Sequence, residues 1–476
     1  MDAPPNGYPL LRSSAEQLLD EVAALLGLHG AIVIDEFRSA LRRPAVIAVS
    51  GRVNTGKSTL VNSLISAKRA PTSAQETTAL ICCYAYGAPD RAEAALDSGE
   101  VIPIPLTPSG PAIGNAQQGA IDYLRVYVQA AALQLVTIID TPGLGSAATG
   151  NSARTEYRLL GHQGPQPGAD ALLYLIRDSF RPDDEDFVSR FRARHGNGPA
   201  GGPVPVIGLV AHADNHDGGP WHSAEPVDMA KRAAAELARR MPQLTAVLPV
   251  SGLLAETVRT GALREQDVRN LRLLQGADEM RLQFAEHLGP PPGVAKEDFR
   301  RLTALIGSYG VRYGREHCGS AAELADWLYE RSGLAELERA LQNAVTGPAE
   351  SVRVEEMLAG LMAAARSQSW PPEVRRLIES ARHAPAFHRL QEEAALALLR
   401  SSAPGHELVA VLEGLRQADW WPPAVSPEAP ERSGYLELAS HYQAVAGSAS
   451  TGAEARAARV IARSLFIRSG AARNPA

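Results

Sequence analysis

The octapeptide Gly51-Arg52-Val53-Asn54-Thr55-Gly56-Lys57-Ser58 constrains this 476-residue chain more than any other stretch. It follows the apolar run Ala45-Val46-Ile47-Ala48-Val49 and opens a helix-like stretch, Thr59 to Ile65. A G-x-x-x-x-G-K-[ST] pattern between a buried strand and a helix is the context of a phosphate-binding loop. Gly51 and Gly56 permit positive φ, so successive N–H groups can turn inward around phosphate oxygens. The helix N-terminus places partial positive charge behind them. Lys57 would reach the β- and γ-phosphates, and the Ser58 hydroxyl would ligate Mg²⁺. Asn54, Thr55 and Thr59 complete the loop and the first helical turn. The chain is expected to bind a nucleoside triphosphate.

The residues downstream distinguish GTP from ATP. Thr78 can offer a hydroxyl to Mg²⁺ and a backbone group to an attacking water, with Thr77 as the competing choice. The apolar run Leu133 to Ile139 ends in Asp140-Thr141-Pro142-Gly143, delivering a carboxylate at a strand edge to hold a magnesium-bound water. Gly143 would turn its N–H toward a γ-phosphate. Asp214 stands after the strand-like run Val204 to Val210, where a carboxylate accepts from guanine N1–H and its exocyclic amine. Adenine lacks that amine and would leave the carboxylate unpaired. Ser251-Gly252 falls where a backbone N–H would meet guanine O6. Two residues depart from the usual pattern. His212 occupies the place of a Lys that packs its stem on the purine, and Leu144 the place of a water-orienting Gln. Arg52 reads either as an internal arginine finger or as a P-loop arginine held by solvent or a neighbouring domain.

Length alone implies two or three domains. Alternating strands and helices from 44 to 260 give a doubly wound α/β domain, and 261–476 shows helical stretches broken by Pro and Gly. Residues 1–11 read as a flexible leader and 12–43 as two helices placed to join the helical half. The segment 87–120 reads as an irregular insertion with short strands. The composition is 45% hydrophobic but only 5% aromatic, which suits closely packed helices. A formal net charge of -6 argues against a dedicated nucleic-acid binder. Cys82, Cys83 and Cys318 have no metal-site spacing and are expected to be buried free thiols. Neither a signal peptide nor a transmembrane run is visible, so any membrane contact is expected to be peripheral.

The P-loop continuing as Ser58-Thr59-Leu60-Val61-Asn62-Ser63-Leu64, then Ala70-Pro71-Thr72, Thr77-Thr78 and Asp140-Thr141-Pro142-Gly143, resembles the bacterial dynamin-like GTPases. The long gap from Thr78 to Asp140 suits their enlarged GTPase domain. Val247 to Ala255 and Glu330-Arg331-Ser332-Gly333-Leu334 resemble the actinobacterial isoniazid-induced branch in particular. The resemblance covers most of residues 13–350. It implies a GTPase head using GTP, GDP and Mg²⁺ on an elongated helical neck and trunk. It also implies nucleotide-dependent self-association, a second dynamin-like partner, and membrane remodelling on an anionic phospholipid surface at the inner face of the plasma membrane. Dynamins proper carry a Gln-Ser pair at the third and fourth P-loop positions for catalysis, where this chain has Val53 and Asn54.

Two stretches are candidates for lipid. Trp420 and Trp421 lie in a helix-breaking segment, and indoles favour the lipid interface; they could equally plug a bundle. Residues 453–468 place Arg456, Arg459, Arg463 and Arg468 among Val460, Ile461, Leu465 and Phe466, a basic amphipathic pattern. The alternative for that stretch is a terminal helix packed on the trunk with a solvated arginine face. Two other functions stay open: a GTP-binding regulatory subunit that hydrolyses slowly and tunes a paired dynamin, and a ribosome- or RNA-associated GTPase.

Overall fold

A computed structural model describes residues 11–70, 80–108, 110–113, 121–141, 169–177, 180–195, 204–221, 224–368, 370–403, 405–415 and 432–471. The chain divides into two compact units. One comprises Pro44–Gly198 with Pro203–Val345; the other comprises Met1–Arg43, Pro199–Gly202 and Thr346–Ala476. Strand signals end near 260, but the unit that holds the strands runs on to Val345. It takes in helices that the sequence groups with the helical half.

Among the described residues the first unit holds eleven strands. They are β1 (Ala45–Gly51), β2 (Ile81–Tyr86), β3 (Arg91–Leu96), β4 (Val101–Ile104), β5 (Leu106–Thr107) and β6 (Gly110–Pro111). After these come β7 (Ile121–Val128), β8 (Val136–Asp140), β9 (Ala171–Ile176), β10 (Val206–Ala211) and β11 (Ala246–Val250). Nine form one sheet in the order β11-β10-β9-β1-β8-β2-β7-β3-β4, and β5 pairs with β6 apart from it. The strands β11 to β8 run parallel, while β2 enters antiparallel to β8 and β3 and β4 continue antiparallel beyond β7.

The central strands are buried on both faces, which is why β1, β9 and β10 are continuous apolar runs with no alternation. Phe187, Val188 and Phe191 of helix Pro182–His195 cover one face against Val46, Ala48, Leu172 and Tyr174. The segment 87–120, expected to be an irregular insertion with short strands, holds β3 to β6, of which β3 and β4 extend the main sheet. The sequence of β3, Arg-Ala-Glu-Ala-Ala-Leu, has helix-forming composition, but burial of Ala92 and Ala94 on alternate positions decides for strand. Leu133 belongs to the 3₁₀ turn Ala131–Gln134, so the strand bearing Asp140 starts only at Val136.

In the second unit, helices Leu11–Leu26 and Ala31–Leu41 share a core with Gly347–Ser367 and Pro372–His383 through Leu18, Leu19, Val22, Ile34, Leu361 and Ile378. Helices His388–Ser402, Glu407–Leu415, Arg432–Ser448 and Gly452–Ala471 close a second core around Leu399, Leu412, Ile461 and Leu465. None of the helices searched among the described residues is long and apolar enough to cross a membrane. The three cysteines are buried and free, and burial pushes the Cys83 thiol up to about 11.

Candidate nucleotide site

The site forms at the carboxyl ends of the parallel strands, all within the unit that carries the sheet. β1 lies between β8 and β9, in register so that Val49 faces Asp140 and Gly51 faces Leu175. At Gly51, with φ +146°, a Cβ would stand 2.6 Å from the Leu175 carbonyl oxygen, so only glycine fits. The chain then turns through Asn54 (φ 61°) and Gly56 (φ 82°) into the helix Lys57–Ile65. No side chain caps that helix, leaving its first N–H groups facing the loop.

Lys57 is buried, and its ammonium donates to the carbonyls of Gly51 (3.2 Å) and Arg52 (2.8 Å). Burial pulls its pKa down against the opposing pull of the Asp140 carboxylate. Ser58 Oγ donates to Asp140 Oδ2 at 3.1 Å. Burial pushes the Asp140 carboxyl up to about 6, opposed by Lys57, Ser58 and the Thr141 amide. The other oxygen, Asp140 Oδ1, is buried with no hydrogen-bond partner among the described residues. A buried carboxylate oxygen left unpaired is costly unless something occupies it. A hard divalent cation beside the Ser58 hydroxyl suits that donor set.

A pocket opens beside the loop, lined by Thr55, Gly56, Thr59 and Leu60, by Leu175, Leu209, Ala211 and His212, and by Val250, Gly252 and Leu253. Asp214, buried and following β10, also keeps one oxygen, Oδ1, without a partner among the described residues. His212 has φ 54°, and its Nε2 lies 3.2 Å from the Asn54 carbonyl oxygen, so the imidazole bridges the end of β10 and the P-loop.

Ser251 caps the helix Gly252–Arg259, its Oγ accepting from the Leu254 N–H, while its own N–H donates to the Ser332 carbonyl. That amide is committed, so of the Ser251-Gly252 pair only Gly252 lines the pocket. Arg52 is held by Asp184 at 3.1 Å, and Asp184 also accepts from the Tyr174 hydroxyl (2.6 Å) and the Arg181 amide (2.8 Å). The guanidinium is thus paired with a buried acid of its own unit. Thr77, Thr78, Gly143, Leu144, Trp420 and Trp421 lie outside the described residues.

Of the basic amphipathic candidate, Val460, Ile461 and Leu465 are buried in the bundle, as is Arg468. Arg456, Arg459 and Arg463 are exposed with Phe466, and Arg463 donates to the His383 carbonyl. The apolar stripe that would enter lipid is thus used inside the protein.

Sequence reading missed Asp184 and Tyr174. It also missed Asn62, which binds the Ala70 carbonyl, the Arg69 and Ala70 amides and Glu256. The Asn62–Glu256 and Arg52–Asp184 pairs join residues remote in sequence, and none of these contacts follows a spacing that a motif fixes.

Comparison with known proteins points to one family. Residues 47–164 match the Dynamin family. The isoniazid-induced protein IniC of Mycobacterium tuberculosis, in each of two strains, is 31% identical over 313 residues. That alignment spans 63% of this chain and 61% of IniC. Two solved structures of an oligomerised bacterial dynamin pair, described in terms of long-range sensing and tethering of membranes, are also similar. They are 12% identical, with TM-scores of 0.36 and 0.38, covering 91% and 97% of this chain and 53% and 72% of theirs. The match to the Dynamin family spans the P-loop, Thr78 and Asp140, and the sheet around it is mixed with an enlarged antiparallel edge.

Proposed function

We propose that the chain is a dynamin-like GTPase that binds and hydrolyses GTP with Mg²⁺ and couples this to self-association and membrane binding at the cytoplasmic membrane. The observation carrying the nucleotide part is the pair of buried, unpartnered carboxylate oxygens, Asp140 Oδ1 and Asp214 Oδ1, one beside Ser58 and one at the base end of the loop. Lys57 and the amides of Gly56 to Ser58 hold phosphate. Ser58, Asp140 and Thr78 hold Mg²⁺, which neutralises phosphate charge when bound. Asp214 accepts from guanine, Gly252 offers an amide to O6, and His212 borders the base. Gly143 and Thr78 serve the γ-phosphate.

Exchanging the hydrogen-bonding sense of Asp214 tests this. Asp214→Asn presents a donor where guanine has its amine and xanthine has a carbonyl, so GTP affinity should fall by about 10²-fold and XTP affinity should rise. Unchanged GTP binding in that variant would contradict the assignment. Lys57→Ala should remove binding of both.

One observation favours a second reading, a slowly hydrolysing regulatory partner of another dynamin-like protein. Arg52 is tied to Asp184, and Val53 and Asn54 bring no catalytic Gln-Ser pair. Single-turnover hydrolysis, alone and with the partner, separates the two.

A further inference from the structure

The segment carrying Asp214 cannot hold its own shape. Among the residues from 212 to 219, His212 (φ 54°) and Asp217 (φ 49°) are non-glycine residues at positive φ, and Asn215 and His216 are non-helical inside the turn. Such backbone persists only where the surroundings over-determine it.

Two helices surround it: Pro226–Arg240 packs Ala230 and Ala234 on Ala213, and Lys296–Tyr313, which is itself broken, approaches Asp214. Gly307 has φ 63° and ψ 179°, a conformation open essentially to glycine alone. A Cβ added there would lie 3.6 Å from Asp214 Oδ2 and 3.3 Å from Leu253 Cδ2; Leu253 lines the pocket, and Asp214 stands two residues after the pocket-lining His212. The carbonyl of Leu305, next to the break, accepts from Thr257 Oγ1 at 2.5 Å, on the helix that Ser251 caps.

Beyond the break, the helix grips the far side of the same segment. Arg312 Nη1 and Tyr313 Oη donate to the Pro220 carbonyl, and Arg312 stacks over Trp221 at 5.7 Å. Tyr309 Oη donates to Glu225, which Arg331 also pairs at 3.5 Å. The break lets one helix touch Asp214 with its bend and brace the exit of the loop with its last turn; an unbroken helix would carry its last turn in another direction.

We propose that Gly307 and Tyr309 are positioning residues for base recognition: the broken helix Lys296–Tyr313 holds Asp214 in the orientation that accepts from the guanine amine. This rests on the assignment of Asp214 to guanine. Inosine nucleotides isolate that single contact, because they keep N1–H and O6 but lack the exocyclic amine.

The test measures GTP and ITP affinity by displacement of a fluorescent GDP from the full chain, for wild type, Gly307→Ala and Tyr309→Phe, with melting curves of each nucleotide-free protein. Wild type should prefer GTP over ITP. Both variants should lose that preference by about fivefold or more, GTP losing both contacts to Asp214 and ITP, which has only the N1–H contact, weakening less. Should Gly307→Ala not fold, Tyr309→Phe decides alone, since it removes only a hydroxyl. A wild-type preference that both variants keep, or an equal loss of both nucleotides, overturns the positioning role. A wild type that does not discriminate GTP from ITP overturns the Asp214 assignment itself.

Discussion

Gly51 shows how tightly single residues are specified at this site. A methyl group there would meet the backbone of β9 and not a movable side chain, and φ is +146°. Gly51→Ala should cost about 1–3 kcal/mol in urea unfolding and abolish nucleotide binding; a variant that binds GTP normally would show that the loop has another shape in solution. At the other end of the chain, His388 is fully buried, with Nε2 at 3.0 Å from Ser464 Oγ, and Ser464 donates to Glu392. Burial holds the His388 pKa down to about 4. An imidazole neutral in the fold but protonatable when unfolded contributes stability above the unfolded pKa. That contribution is lost as pH falls through the window from about 6.5 toward 4, on the order of 2–3 kcal/mol. The melting temperature should therefore drop more steeply between pH 7 and 4.5 in wild type than in His388→Leu. Parallel curves would show that His388 is not the group responsible.

At the scale of elements, the tether between the P-loop and helix Pro182–His195 separates structure from catalysis. Arg52→Ala leaves the buried Asp184 with only Tyr174 and the Arg181 amide. It should destabilise the fold by about 1–3 kcal/mol while changing single-turnover hydrolysis less than about twofold. A large loss of rate at unchanged stability would restore the arginine-finger reading. The sequence made the P-loop, β1, β9, β10 and most helices legible, because each carries its own signal in apolar runs, 3.6-residue spacing, or Gly and Pro punctuation. Helix breaks were less legible: 264–288 divides into Glu265–Leu273, Glu279–Gln283 and Ala285–Leu288, and 371–402 divides at Pro385. Short strands were legible in 87–120, but the bounds of β3 were not, because its alanine-rich composition favours helix and its place beside β7 makes it a strand. In the site, Ser58, Asp140 and Asp214 were legible by order and spacing. The Ser251 amide, the Asp184 clamp and the Gly307 break were not, since each depends on a partner remote in sequence.

At the scale of the whole molecule, the chain joins a unit whose residues 47–164 match the Dynamin family to a helical unit in which the N-terminal helices share a core with residues beyond 347. Leu18, Leu19, Val22 and Ile34 are each at most 4% exposed in that core, so the helices Leu11–Leu26 and Ala31–Leu41 are structural members of it. Membrane action requires the nucleotide state of one unit to change how the protein meets lipid. With the terminal apolar stripe buried, the exposed groups left on that helix for an anionic surface are Arg456, Arg459, Arg463 and Phe466. The most direct measurement is flotation with anionic phospholipid vesicles, comparing no nucleotide, GDP and a non-hydrolysable GTP analogue, for wild type and Lys57→Ala. The account predicts that wild type floats most with the GTP analogue and that Lys57→Ala shows no nucleotide response. Failure of wild type to float in any state, with GTP binding intact, would contradict it.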